Sequence, residues 1–209
     1  MRITSNSFSD GDPIPGNLAF CVPDPDTHVT LAGNRNPHLA WDDVPDGTAS
    51  FALICHDRDV PTKPDDVNQE GREVPPDLPR ADFFHWAAVE LPSDLRSIAE
   101  GSFSDGVVAK GQDAAAGPHG CRQGVNDYTN WFAGDPDMEG QYYGYDGPCP
   151  PWNDSLVHHY EFTLYALDVA TVPVDGAFTG QEVRDAINPH VLDSAVIMGT
   201  YTLNPRLRG

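Results

Sequence analysis

The sequence predicts a mainly β protein, an antiparallel β-sandwich with short C-terminal helices and long loops that form a pocket. Its 19 glycines and 20 prolines favour turns and interrupt helices, so a mainly helical fold is disfavoured. The clearest apolar runs have the length of strands and are bounded by turn residues. With 209 residues, of which 39% are hydrophobic, the chain can build one substantial core, and a single domain over residues 1–209 is expected.

Four segments have the pattern of β-strands. Residues 50–55 form an apolar run that follows a Pro-Asp-Gly turn and stops at a charged cluster, and residues 83–91 are rich in aromatic and apolar side chains. Residues 159–167 alternate polar and apolar side chains, which is typical of a strand with one buried face. Residues 196–203 form the last predicted strand.

One helix is predicted between the last two strands, over residues 179–187. Thr179 is a suitable N-cap, and Glu182 three residues later completes a capping box. The stretches 63–82 and 104–150 are polar and rich in Gly and Pro, and they are much longer than ordinary connections of about 4–6 residues. Loops of this length in a small domain usually belong to a functional site.

The charge of the chain limits its partners. It has 32 acidic and 12 basic residues, for a formal net charge of −20. Because there is no basic stripe to neutralise phosphate backbones, nucleic acid and anionic membrane surfaces are not expected as partners. The acidic surface repels itself, and salt would screen that repulsion, which suggests a salt-rich host.

The N-terminus has no apolar run of the length that a signal peptide needs, and the chain has no apolar span of about 20 residues that could cross a bilayer. A cytoplasmic location without integral membrane association is therefore expected. The four cysteines show no C-x-x-C spacing, which favours reduced thiols over a disulfide framework or a zinc site. They are Cys21, Cys55, Cys121 and Cys149.

Polar motifs lie at the edges of the predicted strands. They are Asp-x-Asp-x-Pro at 57–61, His-Trp at 85–86, and Gly-Pro-x-Pro-Pro at 147–151 followed by His-x-Tyr at 158–160. In this order the motifs resemble the signature of the phosphatidylethanolamine-binding (Raf-kinase-inhibitor-like) family. Its bacterial and archaeal branch is the closer match, because the segments 126–128 and 165–168 also resemble the pattern of that branch.

The resemblance extends from about Asn36 to Tyr201 and implies a β-sandwich with a surface pocket for a phosphate-like anion or a phospholipid headgroup. The residues that it assigns to the pocket are Asp57, Pro61, His85, Tyr145, Gly147, His158 and Tyr160, with Asp59 and Trp86 as their support. An acidic and aromatic insertion at 129–143 departs from the family pattern. This insertion could narrow or cover the pocket.

The chemistry of these residues agrees with a phosphate ligand. Two imidazoles, a phenol and the backbone N–H beside Gly147 can donate hydrogen bonds without any lysine or arginine. The Asp57 carboxylate would repel an anion unless a protonated histidine offsets it, and a pairing with His85 is expected. His159 should point to the opposite face of its strand from His158.

Plainer interpretations stay open for several of these residues. Asp57 and Asp59 could simply cap a turn. His85 could be a packed core histidine, and residues 147–151 could be a rigid extended loop. A cis peptide bond is expected at Val60–Pro61 or at Pro150–Pro151, because cis proline is typical of tight turns beside pockets.

A metal-dependent enzyme using Asp57, His85 and His158 is the alternative function, because two histidines and a carboxylate can bind a metal or act as a general base. The sequence has no G-x-S-x-G nucleophile motif and no glycine-rich phosphate-binding motif. A binding protein without a metal or another cofactor is therefore favoured over an enzyme. A regulatory, kinase-inhibitor-like role is implied only by the resemblance to eukaryotic relatives, and a protein partner and a homodimer are left open.

Overall fold

The computed structural model describes residues 1–208, and its strands pair antiparallel in three sheets. The strands are β1 Arg2–Thr4, β2 Cys21–Asp24, β3 His28–Leu31, β4 Leu39–Asp42, β5 Ser50–Pro61, β6 Arg80–Pro92, β7 Ser97–Ile98, β8 Arg122–Gln123, β9 His158–Leu167 and β10 Val191–Tyr201. The α-helices are α1 Tyr128–Trp131 and α2 Gly180–Ile187. Short 3-10 turns lie at Gly16–Leu18, Pro118–Gly120 and Asn188–His190.

Two of the sheets form the sandwich. The larger has the strand order β10-β9-β5-β6-β8, and the smaller has the order β1-β4-β7. Apolar side chains from both sheets meet in one core, for example Leu39 and Trp41 of β4 with Leu53 of β5 and Phe162 of β9. The mainly β, antiparallel sandwich predicted from the sequence is confirmed.

A second apolar cluster covers the other face of the larger sheet. Ala52 and Ile54 belong to this cluster, whereas their neighbours Phe51 and Leu53 belong to the main core, because successive side chains of a strand point to opposite faces. Helix α2 covers the second cluster with side chains that include Val183. The predicted capping box of this helix is present.

The predicted long strands and the helix are present, with different bounds. β5 was expected to stop at residue 55 but continues to Pro61, pairing with β6 across register shifts. Asp57 and Asp59 can lie on this strand because each carboxylate pairs with a histidine of β9, as described below. β10 begins at Val191 rather than at 196.

Two sequence-based predictions are wrong. All peptide bonds of residues 1–208 are trans, including those before Pro61 and Pro151. Pro61 is the last residue of an extended strand, where a trans bond continues the chain direction without a tight turn.

The prediction that all four cysteines are reduced thiols is also wrong, because Cys21 and Cys149 form a disulfide. They are 128 residues apart in sequence, so their spacing gave no indication of the pairing. The backbone N–H groups of Phe20 and Cys21 both donate to the Pro148 carbonyl, at 3.0 and 3.2 Å, and this brings the two cysteines together. Cys55 and Cys121 are free and buried. The cytoplasmic location stays a prediction from the N-terminal sequence.

Candidate functional site

A cavity of about 120 Å³ lies where β5 ends and where β6 and β9 begin. Antiparallel pairing brings these three strand ends to the same edge of the sheet. The lining residues are Asp57, Val60, Pro61, Pro64, Val67, Asn68, Phe83, His85, Tyr128, Trp131, Cys149, Pro150, Pro151 and Tyr160. Its walls are mainly apolar, and its few polar groups come from the strand ends, as is common for small-ligand sites.

A buried chain of charged groups runs away from the cavity. Asp57 Oδ2 lies 2.6 Å from His158 Nδ1, and His158 Nε2 lies 3.1 Å from Asp154 Oδ2. Arg80 donates to both oxygens of Asp154, at 2.6 and 3.1 Å. The side chains of His158 and Asp57 are 0% and 2% exposed, so nothing but their partners satisfies these charges.

The chain of charged groups settles the protonation of His158. Burial alone would lower the pKa of His158, but the negative charges of Asp57 and Asp154 outweigh burial and raise this pKa to about 9. Burial would likewise raise the pKa of Asp154, but the hydrogen bonds from His158 and Arg80 hold it below its usual value. At neutral pH, therefore, two carboxylates alternate with two cations, and the net charge of these four groups is zero.

His85 has a different role from the one expected. Its Nδ1 lies 2.7 Å from the carbonyl oxygen of Asp146, and Asp57 pairs with His158 instead of His85. Burial lowers the pKa of His85 to about 4, so the ring is neutral at physiological pH. A carbonyl can only accept, so Nδ1 carries the proton and Nε2 is left as an acceptor.

Two tyrosines complete the floor of the cavity. The Tyr128 hydroxyl donates to the Gly147 carbonyl at 2.8 Å. The Tyr160 hydroxyl is buried and lies near the Asp57 carboxylate, but it makes no well-aligned hydrogen bond, although Tyr160 lines the cavity. Burial, and after it the charge of Asp57, raises the pKa of Tyr160 well above 10, so the hydroxyl keeps its proton.

The segment 144–148 is fixed behind the cavity by buried polar contacts. Asn34 and Asn126 each donate to the Asp146 carboxylate at 2.7 Å, and the Gly147 N–H donates to Asn34 Oδ1 at 2.8 Å. A Cβ atom at Gly147 would lie only 2.1 Å from the Leu18 carbonyl oxygen, so this close approach requires glycine. Burial raises the pKa of Asp146 to about 7.

The structure divides the residues predicted for the pocket into two sets. Asp57, Pro61, His85 and Tyr160 line the cavity, whereas Asp59, Trp86, Tyr145, Gly147 and His158 are outside its lining. Each residue of the second set has a partner in the protein. The Asp59 carboxylate lies 2.8 Å from His159 Nδ1, the Trp86 Nε1–H donates to Gln123 and the Tyr145 hydroxyl donates to the Leu18 carbonyl. His159 is also outside the lining.

Two loops complete the rim. Trp131, which is 51% exposed, comes from the predicted insertion at 129–143 and lines the mouth. The loop 62–79, which Asn153 anchors, also lines the cavity, through Pro64, Val67 and Asn68. Asn153 Nδ2 donates to the carbonyls of residues 66, 69 and 72, and its Oδ1 accepts from the N–H of Asn68.

Sequence reasoning missed several residues that matter here. Asn153, Asp154, Arg80 and Phe83 belong to none of the motifs that pointed to the pocket. The only sequence signal for Asp154 and Arg80 is their opposite charge, because a charged side chain that folding removes from water requires a partner of opposite charge.

A metal centre is not formed by these residues. In the part of the chain that the structure describes, no group of three or more His, Cys, Asp or Glu side chains is arranged to hold a metal ion. Both ring nitrogens of His158 already face carboxylates, and Nδ1 of His85 faces a carbonyl. The alternative of a metal site on Asp57, His85 and His158 therefore has no geometric support.

The fold is a β-sandwich with a small, largely apolar cavity at the ends of three strands and a buried polar floor. The family model for phosphatidylethanolamine-binding protein matches residues 4–202. The chain therefore belongs to the phosphatidylethanolamine-binding protein family. Within residues 1–208, no helix is long and apolar enough to span a membrane.

Relatives cover almost the whole chain. The UPF0098 protein YbhB of Escherichia coli is 33% identical over 202 residues, which are 97% of this chain and 100% of that protein. A UPF0098 protein of Methanothermobacter thermautotrophicus is 32% identical over 96% of this chain and 98% of its own length. The crystal structure of Escherichia coli YbcL, described as a member of the mammalian PEBP family, has a TM-score of 0.70 and 27% identity, and the match covers 96% of this chain and 97% of YbcL.

Proposed function

We propose that the chain is a binding protein for a small ligand with a phosphate group, either a phosphate-like anion or a phospholipid headgroup, and that this group enters the cavity at the ends of β5, β6 and β9. The observation that carries the proposal is the Tyr160 hydroxyl, a buried donor on a residue that lines the cavity, which lies near the Asp57 carboxylate but makes no well-aligned hydrogen bond within the protein. A buried polar group without a partner costs about 1–3 kcal/mol, and a ligand oxygen that accepts its hydrogen would remove this cost.

The charge of Asp57 does not prevent anion binding. An uncompensated carboxylate would repel a phosphate, but His158 is protonated and lies 2.6 Å from Asp57. Behind them, Asp154 is offset in the same way by Arg80. The histidine that the sequence analysis required beside Asp57 is therefore His158 rather than His85.

The rim adds a second donor. Asn68 lines the cavity, and its side-chain oxygen accepts the N–H of Trp152 at 3.0 Å, which leaves its amide nitrogen for a ligand. The cavity volume of about 120 Å³ suits a headgroup better than a whole lipid chain. The family of the chain, named for phosphatidylethanolamine binding, supports the same ligand class.

The proposal is restricted to ligand binding. Family membership does not assign a reaction, and the polar groups of the cavity include no serine, cysteine thiol or lysine that could act as a nucleophile. The kinase-inhibitor-like role rests on family resemblance alone, without a surface feature of this chain to carry it.

Substitution of Tyr160 by phenylalanine tests the proposal. Isothermal titration with inorganic phosphate and with O-phosphorylethanolamine should show binding to the wild type and at least about tenfold weaker binding to Tyr160→Phe, because a hydrogen bond to a charged partner contributes about 1.5–3 kcal/mol. Tyr165→Phe is the matched control, since Tyr165 lies on the same strand and packs into the second apolar cluster. Equal losses in both variants, or no binding to the wild type, would contradict the proposal.

A further inference from the structure

Most polar atoms on the cavity floor accept hydrogen bonds rather than donate them. His85 Nδ1 is committed to the Asp146 carbonyl at 2.7 Å, so Nε2 of the neutral ring is an acceptor. Asp57 is the other main polar group, and an ionised carboxylate only accepts. The residues that line the cavity include no lysine or arginine.

Asp57 still has room for another hydrogen bond. Its Oδ1 accepts the N–H of Asp59 at 2.8 Å, and its Oδ2 faces His158 Nδ1 at 2.6 Å. Two carboxylate oxygens offer about four lone-pair sites, and these two contacts and the nearby Tyr160 hydroxyl leave about one for a ligand. These two contacts also hold Asp57 in a fixed orientation beside the cavity.

We infer that the pocket selects ligands whose phosphate carries a hydrogen, namely inorganic phosphate or a phosphomonoester in its singly protonated form, over sulfate and phosphodiesters. This inference rests on the proposed function and narrows its ligand class to free phosphate and phosphomonoesters such as O-phosphorylethanolamine, so the phosphodiester of an intact phospholipid is disfavoured. The P–O–H group donates to Asp57 or to His85 Nε2, and the remaining phosphate oxygens accept from Tyr160 and Asn68.

The physical reason is that the excluded ligands have nothing to donate. Sulfate at neutral pH and a phosphodiester have no O–H group, so each would place a negative oxygen against the acceptors of Asp57 and His85. A site built to hydrogen-bond a ligand O–H rejects analogues without that group strongly, because the buried protein groups are left unpaired. The same geometry disfavours the fully ionised phosphate dianion.

The ligand's own proton should set the pH dependence of its affinity. Among charged side chains, His85 is influenced most by Asp57, then by His158 and least by His56, and the rings of Tyr128 and Tyr160 pack against it. The pKa of His85 is about 4 and that of His158 is about 9, so neither changes charge between pH 5 and 8, but the buried Asp146 behind the cavity has a pKa of about 7 and ionises in this range. Sulfate keeps the same charge in this range, so the pH dependence of its affinity measures the contribution of Asp146. A phosphomonoester loses its second proton near pH 6, and its affinity relative to that of sulfate should fall about tenfold per pH unit above that value.

The test compares four ligands of similar size by isothermal titration near pH 6. They are inorganic phosphate, methyl phosphate, dimethyl phosphate and sulfate. The first two should bind the wild type at least about tenfold more tightly than the last two. In Asp57→Asn the amide can donate as well as accept, so sulfate and dimethyl phosphate should gain affinity relative to methyl phosphate. Asp168→Asn, an exposed carboxylate paired with His190, is the charge-matched control and should keep the wild-type preference.

The outcomes separate this inference from the proposed function. Equal binding of phosphate and sulfate, or a ratio of methyl phosphate affinity to sulfate affinity that stays constant from pH 5 to 8, would overturn the selectivity while leaving phosphate binding in place. Absence of binding for all four ligands would overturn the proposed function itself. The comparison of ligands on the wild type does not depend on the stability of any variant.

Discussion

His158 illustrates how a single residue can serve a site without touching a ligand. It lies fully buried between Asp57 and Asp154, and its positive charge keeps both carboxylates compensated. Removing one partner of a buried ionic network leaves uncompensated charge, which typically costs about 3–5 kcal/mol. His158→Ala should therefore lower the free energy of unfolding, measured by urea denaturation, by roughly that amount.

The control for this prediction is the next residue in the chain. His159 is paired with Asp59, but its side chain is 33% exposed, so water can replace the lost contact. His159→Ala should cost much less than His158→Ala. Similar losses in the two variants would show that the buried charges are not the source of the effect.

The pH dependence of stability gives an independent test of the same residue. The pKa of His158 is raised to about 9 from an unfolded value of about 6.5, so its stabilising contribution is complete below pH 6.5 and is lost as pH rises through about 9. The free energy of unfolding of the wild type should decline from pH 7 to 10 more steeply than that of His158→Gln. Parallel curves would contradict the assigned protonation.

At this scale the sequence indicated the right residue types but not their partners. Asp57, His85 and Tyr160 could be selected because their motifs resemble a family signature. The pairing of Asp57 with His158 rather than His85 depends on the register of β5 against β9, where Asp57 lies opposite Tyr160. This register cannot be predicted from the motifs taken separately.

Among the elements, the loop 62–79 shows how one side chain can shape a long connection. Asn153 is 4% exposed and makes hydrogen bonds with four backbone groups of the loop, and Asn68 on the same loop reaches the cavity. Position 153 therefore links the structure of the loop to the shape of the rim.

Asn153→Ala should loosen this loop. The loss leaves several partly buried backbone groups without partners, at about 1–3 kcal/mol for each group that water cannot reach. Hydrogen exchange of the amides in 66–74 should become faster in the variant, while exchange in β5 and β9 changes little. Asn130→Ala, at an exposed position, is the control. Unchanged exchange in 66–74 would show that Asn153 does not anchor the loop.

The long elements were predictable and the short ones were not. β5, β6, β9 and α2 carry apolar runs, alternation or a capping box over many residues, and these local signals agree with the fold. β7 and β8 have two residues each, which is too short for any periodic pattern. Their strand state comes entirely from pairing with β4 and β6.

For the whole molecule, the net charge of −20 is the dominant electrostatic feature. Many carboxylates take part in exposed ion pairs, which contribute little each, so repulsion among the remaining carboxylates should lower stability at low ionic strength. Raising NaCl to about 1 M shortens the Debye length to about 3 Å and should raise the melting temperature. Sodium sulfate at matched ionic strength separates screening from salt exclusion. An unchanged or lower melting temperature in NaCl would contradict the prediction.

The disulfide between Cys21 and Cys149 has a mechanical consequence. If the chain were pulled from its two ends, the segment between the cysteines, which spans a sequence separation of 128, would bear no load, and the fully stretched molecule would be shorter by roughly 460 Å. β5 and β6 lie inside this covalent ring, whereas β9 and β10 lie outside it. Force would therefore pull β10 and β9 out of the sheet, while the disulfide would prevent the segment between the cysteines from extending. Asp57 and His85 would stay within this closed segment after Tyr160 had been pulled away from them.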